Sequence, residues 1–151
     1  MFLTISLDIT TIEKRLSDIV ASVSDVTSTL EIVGDELLNF YGVVQFETEG
    51  GSGGNPWKEL SPMTVMMRQK KLGHYALPNT GDSILWWTGR LKEGFFKTVS
   101  DQKLTIGNDV PYFAQHQLGN GNQPPQRKML VINDKVTVLV LDTFKEFIHK
   151  L

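Results

Sequence analysis

The side chains with the most catalytic potential in this sequence are three histidines, His74, His116 and His149. No two of them lie four residues apart and none begins a His-x-Glu motif, so the spacing lacks the pattern of a helical metal site. His116 stands between Gln115 and Gln117, a setting more typical of a hydrogen-bonded structural histidine than of a catalyst. The chain has no cysteine, which excludes disulfides and cysteine-ligated metals.

Three further patterns fall short of a known chemistry. Residues 51–53 read Gly-Ser-Gly but lack the flanking strand and helix of a hydrolase nucleophile. The glycine-rich stretch 49–55 lacks the Gly-Lys-Ser/Thr of a phosphate-binding loop, and we expect it to be flexible. The carboxylates of Asp35 and Glu36 do not face each other on a helix. We therefore expect no enzyme, metal or cofactor; a small hydrolase with an unrecognised site is the remote alternative.

Length and composition indicate one globular domain over residues 1–151. The 15 basic and 17 acidic side chains give a net charge of −2, which argues against a basic DNA-binding module. A protein that surrounds DNA without gripping it would have the same balance. No apolar run reaches the roughly 18 residues of a membrane span, and the first residues lack the basic start of a secretory signal. We expect a protein that is cytosolic when made and has no membrane partner.

The elements that position these residues begin with a strand and a long amphipathic helix. Alternating apolar side chains predict a strand over residues 3–9. From residue 12 to residue 40, apolar side chains recur at steps of three and four, which predicts one helix of roughly 45 Å. We expect it to lie across its own sheet; a self-associating coiled coil is the alternative. The apolar stripe consists of Ile12, Leu16, Ile19, Val23, Val26, Leu30, Val33, Leu37 and Phe40.

A second helix and a hairpin follow the glycine-rich stretch. Ser61 and Pro62 are typical of the start of a helix, which we expect to run to about residue 72. Residues 94–100 and 103–107 predict two strands joined by a turn at positions 101 and 102. The residues expected to face inward are Phe96, Val99, Leu104 and Ile106.

The last part of the chain predicts a strand and a helix. Residues 129–132 favour a strand, and Asn133 or Asp134 can cap a C-terminal helix. Residues 136–141 are rich in β-branched side chains, so a strand there stays open. The expected fold is α+β, with a small antiparallel sheet packed against one long N-terminal helix and a C-terminal helix.

Five short motifs run through most of the chain in a fixed order. They can be written as W-x-x-L-S-P-x-T, T-G-x-L, a hairpin that ends in Ile/Val-Gly, Y-A-x-x-H-Q-x-G, and P-x-R-x-F-L. In this order and spacing, the chain resembles the phage virion morphogenesis family, typified by the tail completion protein of bacteriophage Mu. The corresponding residues are Trp57 to Thr64, Thr88 to Leu91, Ile106 and Gly107, Tyr112 to Gly119, and Pro125 to Leu130. The chain departs from the patterns by an extra Phe113 after Tyr112, by Lys128 in place of the usual proline after the arginine, and by Met129 in place of the phenylalanine.

The resemblance implies a structural protein of the tail completion or neck class, made in the host cytoplasm and located in the virion. Such a subunit is expected to form a ring, with a hexamer favoured, at the joint between head and tail. Its implied partners are further copies of itself, other neck, head-closure or tail-tube proteins, and genomic DNA that passes through the lumen without sequence-specific binding. The alternative is a tail terminator or head-closure ring subunit.

Residues for contact between subunits are expected in and near the fourth and fifth motifs. Tyr112, Phe113 and Arg127 combine aromatic area with a forked cation, which are side chains enriched where proteins meet. Trp86 is a further candidate, since one of the adjacent tryptophans is expected in the core and the other at an interface. The alternative is that both aromatic residues of the fourth motif fill the core and that Arg127 pairs with a surface acid.

Overall fold

The computed structural model describes residues 26–121 and 124–150, together with residues 13, 14, 17, 18, 20 and 21, which are helical and exposed. The strand expected over residues 3–9 lies outside the described residues. The main helices and strands are α1 (Thr27–Asn39), α2 (Pro62–Gln69), α3 (Arg90–Glu93), β1 (Phe95–Ser100), β2 (Lys103–Asn108), α4 (Phe113–Leu118) and α5 (Asp134–His149). The fold is α+β, as predicted: α1 packs on both strands and on α5.

The long helix differs from the prediction at both ends. Val26 is not helical, so the stripe from Ile12 to Phe40 does not form one continuous helix. Val26 and Thr27 are weak helix formers, which agrees with the break in the helix at Val26. Beyond α1 the helical run continues through a π-helical segment, Phe40–Val44, and ends at Glu47. The buried stripe consists of Val33, Leu37, Phe40 and Tyr41.

The hairpin is confirmed, with strands within one residue of the predicted bounds. Asp101 and Gln102 both have positive φ, at 50° and 56°, as a tight turn between right-twisted strands requires. Phe96, predicted to face inward, is 44% exposed, and that prediction is wrong. Its ring covers Gly107, the residue opposite it on β2, while Phe95 fills the core instead.

Two predicted helix starts are confirmed by side-chain caps. The Ser61 hydroxyl accepts a hydrogen bond from the Thr64 N–H at 3.1 Å, and α2 begins at Pro62. The side-chain oxygen of Asn133 accepts a hydrogen bond from the Val136 N–H at 3.0 Å, and α5 then runs through residues 136–141. The alternative prediction of a strand over residues 136–141 is therefore wrong, because the cap and the apolar face of α5 override the β-branched composition. No helix among the described residues is long and apolar enough to cross a membrane.

The predicted strand at residues 129–132 is absent: Leu130 lies in a bend, and no described strand pairs with this run. Four side chains form hydrogen bonds with the backbone of residues 128–131, which we call the clamped segment. Tyr41 Oη donates to the Val131 carbonyl at 2.6 Å, Gln45 Nε2 to Met129 at 3.2 Å, and Trp57 Nε1 to Lys128 at 2.9 Å. Gln117 Oε1 accepts from the N–H groups of Met129 and Leu130, and its Nε2 donates to the Leu130 carbonyl.

The glycine-rich stretch is hydrogen-bonded to Gln45, one of the four side chains that hold the clamped segment. The Gly53 N–H donates to Gln45 Oε1 at 3.1 Å, so one buried amide holds both this stretch and Met129. A Cβ at Gly53 would lie 2.8 Å from Val131 Cγ2 and would also meet the Gln45 amide. Glycine is therefore required there by close packing. The mobility expected for residues 49–55 stays a prediction.

Replacement of Gln45 by Leu tests whether the clamp stabilises the fold. Gln45 is 0% exposed, and Gln45→Leu leaves the Gly53 N–H and the Met129 carbonyl without this partner. We expect a loss of about 2–4 kcal/mol in the free energy of unfolding, measured by urea denaturation. Gln69→Leu, at an exposed position at the end of α2, is the control. Equal urea midpoints for the two variants would contradict this role for Gln45.

Candidate interaction groove

A groove of about 1170 Å³ lies between α2, the segment that follows it, and α4. Its charged lining is mainly basic, with Lys58, Arg68, Arg90 and Arg127 against one carboxylate, Glu59. The lining also includes Tyr75, Trp87, Tyr112 and His116, which bring aromatic surface and an imidazole to the same space. We refer to this site as the basic groove.

Arg127 occupies a buried position in the wall of the basic groove. It is 6% exposed, and its side-chain hydrogen bonds go to backbone carbonyls, so the alternative in which Arg127 pairs with a surface acid is wrong. Nε donates to the Lys58 carbonyl at 2.8 Å and Nη2 donates to the Glu59 carbonyl at 3.0 Å. Its backbone N–H donates to the His116 carbonyl at 2.7 Å. Arg127 thus joins α4, through its backbone N–H, to the segment before α2, through its guanidinium, and these carbonyl partners do not neutralise its charge.

Arg68 is a groove residue that the sequence did not reveal. The basic end of α2 suggested only a solvated face, but the Arg68 guanidinium lies 5.5 Å from the Tyr75 ring centre and 5.1 Å from that of Trp87. Its Nη1 donates to the backbone carbonyls of Asp82 and Ser83. Only the cationic end of α2 could have hinted at this arrangement, because the two rings are far from Arg68 in sequence.

His116 lines the basic groove without the neighbours of a catalytic histidine. Burial lowers the pKa of His116, and the positive charge of Arg127 lowers that pKa further. Such a setting keeps the imidazole neutral and differs from that of a general base oriented by a carboxylate. Within the described part of the chain, no group of three or more His, Cys, Asp or Glu side chains could hold a metal ion.

The predicted contact residues separate into two groups. Tyr112, which is 37% exposed, and Arg127 both line the basic groove. Phe113 packs into the core, with its ring 5.8 Å from that of Phe95. Trp86 lies outside the groove wall: its Nε1 donates to Thr80 Oγ1 at 3.2 Å, and Lys92 Nζ lies 3.8 Å from its ring centre. A contact between these residues and a partner stays a prediction.

The basic groove also contains polar atoms that lack a hydrogen-bond partner. Among the residues that the structure describes, four buried side-chain nitrogen or oxygen atoms are unpaired. Three of them belong to groove residues, namely Arg68 Nε, Trp87 Nε1 and His116 Nδ1. Buried polar atoms are almost always paired, so this concentration marks the groove wall as unusual, although the three atoms themselves are enclosed and do not face an outside partner.

The pKa of His116 predicts how stability depends on pH. Its folded-state pKa is lowered, whereas the unfolded imidazole titrates near its ordinary value of about 6.5. As the pH falls through that value, the unfolded chain binds the proton more readily than the folded chain does, so the free energy of unfolding decreases. Between about pH 7.5 and pH 5, His116→Gln should therefore show a smaller fall in urea midpoint than the wild type. His149→Gln, which changes an exposed histidine outside the groove, is the control; parallel curves for wild type and His116→Gln would contradict the prediction.

Comparison with known proteins identifies the family of this chain. The chain matches the phage virion morphogenesis family over residues 7–148. Comparison with curated protein sequences and with solved structures gives no match. The matched range includes all five sequence motifs, the basic groove and nearly all of α5. The chain therefore belongs to the phage virion morphogenesis family, whose members are structural proteins of the phage particle.

Proposed function

We propose that this chain is a tail completion or neck subunit that forms a ring at the joint between the phage head and tail. The observation that carries the proposal is the family match over nearly the whole chain. The basic groove supports it, because its exposed cations and aromatic side chains suit contact with another protein surface. The chain acts through its surfaces and has no enzymatic step.

A ring follows from the geometry that a head-tail joint demands. Contacts between two different patches of identical subunits close into a ring when the rotation allows it, and we favour six copies. A net charge of −2 lets such a ring surround DNA without holding its phosphates. The neighbours of the ring are head-closure, neck or tail-tube proteins, and its place is the virion, after assembly in the host cytoplasm.

A nonsense mutation in the gene for this chain, introduced into the phage that encodes it, tests the proposal. We expect filled heads and separate tails in electron micrographs of the lysate, because the joint lacks a component. The wild-type chain supplied from a plasmid should restore joined particles. His116→Gln should restore them as well, because the proposed role needs surfaces and no proton transfer.

Two outcomes would contradict this role. Joined, infectious particles without the chain would exclude a place at the joint. Tails of abnormal length instead of unjoined normal tails would identify a tail terminator.

A further inference from the structure

A second charged surface lies on the outer side of α1 and α5. It forms a shallow cleft of about 610 Å³, and its charged lining is mainly acidic, with Glu36, Asp134, Asp142 and Glu146 against one lysine, Lys135. Its apolar lining includes Ile32 and Val138, which are 50% and 53% exposed. We refer to this surface as the acidic face.

The acidic face and the basic groove have opposite charge patterns. The groove has four cations and one carboxylate, and the acidic face has four carboxylates and one cation. The two surfaces share no residue. They also lie over different parts of the core, since Leu139 of the acidic face and Leu91 of the groove belong to separate apolar clusters.

Most of these charged side chains have no ion-pair partner among the described residues. In residues 26–121 and 124–150, ion pairs join Lys97 to Glu31 and Asp35, and Lys145 to Asp142, and none of them uses a groove cation. The Lys145 pair lies on an exposed helix surface, where such pairs contribute little. Arg68 and Arg127 donate to backbone carbonyls, which carry no formal charge.

We propose that the acidic face of one copy docks into the basic groove of the next copy. The inference rests on the proposed ring and names the two surfaces that build it. Carboxylates on α5 would meet the exposed groove cations Lys58 and Arg90, and Ile32 and Val138 would meet groove side chains such as Tyr112 and Leu77. Opposite potentials favour this register, because like charges placed together oppose association.

The same charges disfavour a two-fold dimer centred on either surface. Such a dimer would bring groove cations together or carboxylates together. A head-to-tail contact joins two different patches and leaves one of each unfilled at the ends until the ring closes. The docking partner for the groove is therefore a second copy of this chain.

Charge reversal on each surface tests the pairing. Lys58→Glu with Arg90→Glu reverses the groove, and Glu36→Lys with Glu146→Lys reverses the acidic face; all four side chains are exposed. Each reversed chain, supplied to the phage that carries the nonsense mutation, should fail to restore joined particles. Self-association of each should weaken by at least about 100-fold in light scattering, because like charges then meet.

Recombination of the reversed surfaces gives the decisive result. The chain with all four substitutions, and an equal mixture of the two reversed chains, again pair opposite charges and should regain joined particles. Thermal melting establishes that every variant is folded. A matched control, Lys103→Glu with Glu47→Lys, reverses exposed charges away from both surfaces and should complement like the wild type.

The outcomes separate the pairing from the proposed function. Full complementation by either reversed chain, or no recovery when both reversals are combined, would overturn the pairing while the role at the joint stands. If the nonsense mutant needs no chain at all to join heads and tails, the proposed function fails first.

Discussion

The arrangement of the described residues depends on how the backbone of the clamped segment is satisfied. Residues 128–131 pair with no strand among the described residues, and Met129 is 0% exposed. A buried peptide group without a partner is costly, so the chain needs another source of donors and acceptors. Tyr41, Gln45, Trp57 and Gln117 provide it from three separate parts of the sequence. The helical run, the first family motif and α4 are joined through this one segment.

The basic groove is a consequence of the same arrangement. Arg127 immediately precedes the clamped segment, and its guanidinium bonds to the carbonyls of residues 58 and 59 beside the Trp57 anchor. On α4, Gln117 holds the clamped segment while its neighbour His116 lines the groove. The groove wall is therefore positioned by the hydrogen bonds that satisfy the buried backbone. Asn133 begins α5 just past the clamped segment, so the acidic face is fixed to the same frame.

Local patterns in the sequence predicted the elements whose causes are local. The hairpin follows from its turn, and α2 and α5 follow from the caps at Ser61 and Asn133. The apolar run over residues 129–132 predicted a strand, but such a run does not say what pairs with the backbone. Gln45 and Met129 are 84 residues apart, and no periodicity marks such a pair. The sequence selected Tyr112 as a contact residue, and this residue lines the groove. It missed Arg68 and did not separate Trp86 from Trp87, because no local pattern marks the contact between Arg68 and Trp87.

The position of the chain in the intact particle is the most direct test of its role in assembly. Electron cryomicroscopy of the virion, at a resolution that resolves helices, should show this fold repeated in a closed ring at the joint between head and tail. In each copy, α5 should lie against the basic groove of its neighbour. Density for the chain elsewhere in the particle, or its absence from joined virions, would contradict the assignment to the joint.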